Sequence, residues 1–182
     1  MLKLSIFKKI IGYGALISLV TSNVAVAQIA SDNTGHQNGE AVSQKALSDP
    51  LFARQLSNSL AQCHGFLYAL HDKLTDEVEM NFDAIELENS FSQMAQIAGY
   101  ASVLTATFHG VDIEAAHTYA NSISRDERIA WTFKLEEAKD NILIISTPRI
   151  GECSQHMPVA KWLFDGAVQT KVNQDRNNGQ FR

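Results

Sequence analysis

The chain of 182 residues holds two cysteines, and each has a histidine close by: His64 follows Cys63 directly in AQCHGFLYAL, and His156 stands three residues after Cys153 in ECSQH. Four kinds of chemistry suit these residue types. Covalent haem attachment needs two cysteines two residues apart just before the histidine, and AQCHGF supplies only one. Cys63, His64, Cys153 and His156 together offer the four donor atoms of a tetrahedral zinc site. Neighbouring helical side chains, however, point about 100° apart, so Cys63 and His64 converge poorly on one ion. A nucleophilic thiol needs a base within reach, which His64, His71, His109, His117 or His156 could in principle provide. Cys63 falls on an apolar helical seam, where burial raises a thiol's pKa and makes it inert. The remaining chemistry is a disulfide between Cys63 and Cys153. In the chain-entropy picture, closing a loop of this length stabilises a fold by about 4 to 5 kcal/mol.

His64, Tyr68 and His71 recur at i, i+4 and i+7 and share one face beside that seam. With His156 they form a candidate polar or pH-sensitive site, although a boundary stripe with polar tips in water explains the same spacing. Between Asp72 and Glu88 seven acids accompany one lysine. Asp76, Glu77 and Glu79 within this run are a candidate face for a protein partner, and acids here also complement the positive end of the helix that follows. The run lacks the glycine and alternating acids of a calcium loop. Trp131 and Trp162 sit among other large apolar side chains; such aromatics fill a core, or anchor an interface if a helix exposes them. No serine-nucleophile motif, phosphate-binding glycine loop or zinc-binding histidine pair on one helix occurs. The expectation is a non-enzyme without a cofactor or bound metal.

The elements that must position these residues read as helices. From Ser48 to Leu74, a capping Ser48 or Asp49, a first-turn Pro50 and Phe52, Leu56, Leu60, Cys63, Leu67, Leu70 and Leu74 at spacings of four and three predict one amphipathic helix. A second helix is predicted from Phe82 to Phe108 with a stop at Gly110, and a third after a capping Asp112. Whether residues 113–145 form one helix or two is open at Ser124-Arg125-Asp126. The Ile-rich NILIIS also suits a buried strand, but no partner strand exists in the pattern. A final helical segment is expected from Thr147-Pro148, kinked or split at Pro158. The fold class that follows is all-α, an antiparallel bundle of four or five helices with its first and last helices joined by the disulfide.

At the N-terminus, three lysines precede an apolar run from Ile10 to Val20 and then Ala25-Val26-Ala27, the order of a secretory signal peptide with cleavage after Ala27. Residues 28–48 read as a flexible polar leader, 49–170 as the helical domain and 171–182 as a flexible tail. Removing three lysines and no acid takes the formal charge from −5 to −8. An acidic chain without a basic cluster is a poor ligand for nucleic acid or anionic lipid. No apolar run after the leader is long enough to span a bilayer. These features lead to a periplasmic or secreted protein that binds another protein, in the manner of an inhibitor, immunity factor or chaperone. The alternatives are a small-ligand or metal-binding bundle and, after that, a hydrolase.

Overall fold

The computed structural model describes residues 33–77, 82–138 and 141–177. The signal-peptide reading of residues 1–27 lies outside these. Five helices account for the described chain: α1 (Asn33–Ser48), α2 (Pro50–Glu77), α3 (Phe82–Thr107), α4 (Ile113–Ala138) and α5 (Ile142–Asn177). Among the described residues no strand forms, and the helices pack as a bundle around α2.

Local chemistry sets the boundaries. Asp49 Oδ1 accepts from the amides of Leu51 and Phe52 at 3.0 and 3.1 Å, so the N-cap of α2 is Asp49. Asp112 caps α4 in the same way, accepting from Glu114 and Ala115 at 2.8 and 3.2 Å. The turn between α3 and α4 closes at Gly110, whose φ of 80° is the left-handed conformation that glycine adopts without a Cβ clash. α4 runs through Ser124-Arg125-Asp126 without a break.

α2 is buried on more than its apolar seam. Leu56, Leu60, Cys63, Phe66, Leu67 and Leu70 are almost fully enclosed, and burying each large apolar side chain stabilises the fold by roughly 1.5–3 kcal/mol. A second stripe at spacings of four, Ala53, Ser57, Ala61, Gly65 and Ala69, is buried too. These small residues let neighbouring helices approach closely. Ser57 Oγ donates to the Ser102 carbonyl of α3 at 2.8 Å. Gly65 meets the backbone of α4, where a Cβ would overlap the Ser124 carbonyl oxygen and stand 3.0 Å from the Arg128 amide nitrogen.

The disulfide joins Cys63 of α2 to Cys153 of α5, with Cα atoms 5.5 Å apart, inside the range that the bond spans without distorting the backbone. It bridges 90 residues of sequence. Because α1 precedes α2, the staple links the second and fifth helices of the described chain.

The helix boundaries differ from the sequence expectation in three places. Residues 33–48, read as part of a flexible leader, form helix α1 and pack on α5. Their buried positions, Gly39, Ser43 and Ala46, are small, so the segment shows no large-apolar pattern. Residues 142–146 open α5 rather than closing the preceding helix, and α5 continues through Pro148 and Pro158 without splitting. The helix extends to Asn177, past the start of the tail expected at residue 171.

Candidate functional site

The residues singled out for chemistry divide into two groups when placed on this framework. Cys63 and Cys153 are bonded to each other, and among the described residues no cysteine is free. Neither sulfur is therefore a thiolate nucleophile or a metal ligand. No group of three or more His, Cys, Asp or Glu among the described residues converges to hold a metal ion.

His64, Tyr68 and His71 do come together. The His64 and Tyr68 rings meet edge to face with centroids 4.9 Å apart, and Tyr68 and His71 lie 6.3 Å apart. His64 is half-buried. Its ring is inserted among three helices: Nδ1 lies 2.8 Å from Ser124 Oγ of α4, and its other edge presses on Gly99 of α3, where a Cβ would stand 2.9 Å from Nε2. Burial, and then the charge of Arg128, hold its pKa below the ordinary imidazole value. His64 is accordingly neutral at pH 7.

Arg128 completes this side of the bundle. Its guanidinium lies over the Tyr68 ring, 5.5 Å from the centroid, and pairs with Asp72. His71 Nδ1 is 3.5 Å from Asp72 Oδ1. Between α2 and α4 an open groove of about 630 Å³ is lined by His64, Tyr68, His117, Asn121, Arg125 and Arg128, among others. His156 does not line it. It lies on α5, where burial and Arg149 lower its pKa and Glu152 pulls the other way.

The two tryptophans are taken up by internal packing. Trp131 is 9% exposed, stacks edge to face on Phe66 at 4.6 Å and donates from Nε1 to Glu127 Oε1 at 3.1 Å. Trp162 is half-buried on α5 beside Gly39 of α1, where a Cβ on the glycine would meet Trp162 Cβ at 2.9 Å. Trp131 thus fills the core, and Trp162 keeps part of its surface exposed. The side chains of Asp76 and Glu77, and all of Glu79, lie outside the described residues.

Two further features become visible with the packing. Arg149 of α5 forms ion pairs with Glu127 of α4 at 2.9 Å and with Glu152 at 2.6 Å, and reaches Gln62 of α2 at 3.5 Å. This polar tie lies close in sequence to the disulfide and joins the same pair of helices to α4. The second feature is on the outside of α4. Ile129 and Phe133, one turn apart, are 50% and 62% exposed. The signal was available in the periodicity: Ala116, Ala120, Ser124, Trp131 and Leu135 mark the buried side of α4, and Ile129 and Phe133 fall opposite them.

Comparison with protein families, with curated proteins and with solved structures finds no match to this chain. The disulfide points to folding outside the reducing cytosol. Among the described residues no helix is long and apolar enough to cross a membrane.

Proposed function

We propose that this chain is a non-catalytic exported protein, periplasmic or secreted after cleavage following Ala27, which binds another protein through the outer face of α4. One observation carries the reading: Ile129 and Phe133 project together from a helix whose opposite side is fixed to the core. Protein interfaces combine a small apolar centre with a polar rim. Here Arg125, Arg128, Thr132 and Glu136 surround the two apolar side chains in a shallow depression. The rigid backing matters as well, because a preordered helix loses little entropy on binding. Ile144 on α5, 53% exposed, offers an exposed apolar position on another helix for comparison. Affinity capture from the native envelope with the parent, Phe133→Glu and Ile144→Glu tests the reading. Loss of a bound protein in Phe133→Glu alone is the expected outcome; capture unaffected by Phe133→Glu contradicts it.

The second reading, a small-ligand site, is favoured by the α2–α4 groove, where two arginines and two histidines line one opening in an otherwise acidic chain. Its ligand would be a small anion. Native mass spectrometry of protein isolated from its own host decides it. A retained small molecule supports this reading, and an apo mass counts against it.

A further inference from the structure

The outer face of α4 has an order of side chains that complements itself. With 3.6 residues per turn, Arg125, Ile129, Thr132, Phe133 and Glu136 cluster on the side opposite the buried Ala120, Ser124, Trp131 and Leu135. Along that face a cation comes first, Arg125, which also lies 3.6 Å from the exposed carboxylate of its neighbour Asp126; two apolar side chains follow, and an anion comes last. The same residues, together with Arg128, line an open depression of about 330 Å³. A second α4 laid antiparallel across it, with the two-fold axis passing near residue 131, brings Ile129 of each copy to Phe133 of the other. The same placement sets Arg125 of each copy opposite Glu136 of the other. A parallel arrangement would instead place Arg125 on Arg125 and Glu136 on Glu136.

We propose that α4 is a homodimerisation helix, in which two copies of this chain pack antiparallel through Ile129 and Phe133 with Arg125 and Glu136 paired reciprocally across the two-fold axis. The inference rests on the reading of α4 as the protein-docking surface and names its occupant. Such an interface is isologous and closed, so it ends at a dimer and does not propagate into a filament. Two helices meeting over a few turns bury less than about 1,200 Å² in total, which places the dimer among weak, concentration-dependent associations. The apolar pair drives the contact, while the exposed ion pairs fix its direction.

The test is sedimentation equilibrium of the oxidised, host-processed protein over a range of concentrations, with far-ultraviolet circular dichroism to verify that each variant is folded. The parent shows a monomer–dimer equilibrium, and Phe133→Glu stays monomeric. Because each residue occurs in both symmetric pairs, Arg125→Glu or Glu136→Arg alone turns two attractions into two repulsions and weakens dimerisation by about tenfold or more. The double exchange Arg125→Glu with Glu136→Arg restores the parent constant to within about threefold, since it rebuilds both pairs with their signs reversed. A parent that is monomeric throughout, a dimer that survives Phe133→Glu, or a double exchange no better than either single change overturns the inference. A monomeric parent that binds a different protein through Phe133 overturns the homodimer while leaving the docking surface in place. If nothing binds through Phe133, both fail.

Discussion

Replacing Gly65 by alanine tests the close approach of α2 and α4, and the same substitution at Gly151 supplies its control. An added Cβ at Gly65 overlaps the Ser124 carbonyl and crowds the Arg128 amide, both backbone groups of α4. Neither can be relieved by turning a side chain, so the two helices must separate. Overpacking of this kind costs about 1–3 kcal/mol, offset by roughly 1 kcal/mol from the better helix propensity of alanine. Because the clash is with backbone, the net result is a loss of about 1–2 kcal/mol. Gly151, within α5, has nothing within 4 Å of the same added atom. There only the propensity and unfolded-state terms remain, a gain of about 0.5–1 kcal/mol. For a chain of this size the two variants then differ by roughly 5–10 °C in Tm, with the parent between them. Thermal and urea denaturation of the oxidised proteins measures this. A Gly65→Ala variant as stable as Gly151→Ala would refute the packing of α4 on α2.

Exchanging Cys63 and Cys153 for serine lowers stability by up to about 4–5 kcal/mol, read from urea denaturation; intact mass rising by two protons on reduction of the parent verifies the bond. His64 has its pKa lowered by burial, then by Arg128, so the unfolded chain takes up a proton first as pH falls. Its contribution is complete above the unfolded value near 6.5 and is lost as pH drops below it towards the folded value, and His156 acts in the same direction. Stability measured from pH 8 to pH 5 therefore declines below about 6.5, and His64→Gln flattens the decline. Arg149→Ala leaves Glu127 without its cation in a site where both groups are about four-fifths enclosed. A loss of about 1–3 kcal/mol is expected by denaturation, and Arg149→Lys recovers only part of it because an ammonium cannot fork to Glu127 and Glu152.

Large apolar periodicity and capping chemistry made much of the bundle legible. The seam from Phe52 to Leu74, the caps at Asp49 and Asp112 and the stop at Gly110 are local features, and the helices follow them. The cysteine pairing was readable from count and position alone. Small residues hid the rest. Ala53, Ser57, Ala61, Gly65 and Ala69 look neutral in hydropathy, yet they bury a second stripe of α2, which makes it the central helix. For the same reason α1, with Gly39, Ser43 and Ala46 inward, resembled a flexible leader. His64 is half-buried beside the one apolar seam that its own helix shows. Its actual surroundings come from Gly99 and Ser124, which are 35 and 60 positions further along the chain. Of the aromatics in AWTFKLEEAK, the helix exposes Phe133 beside Ile129, while Trp131, one half-turn away, is inside the core.

The most direct test of α4 as a docking surface is photo-crosslinking in living cells, with a benzophenone amino acid placed at position 133 and, separately, at position 144, which is also more than half exposed. The account predicts a discrete protein adduct from position 133 and none from position 144. Adducts absent from position 133, or equal at both positions, would contradict it.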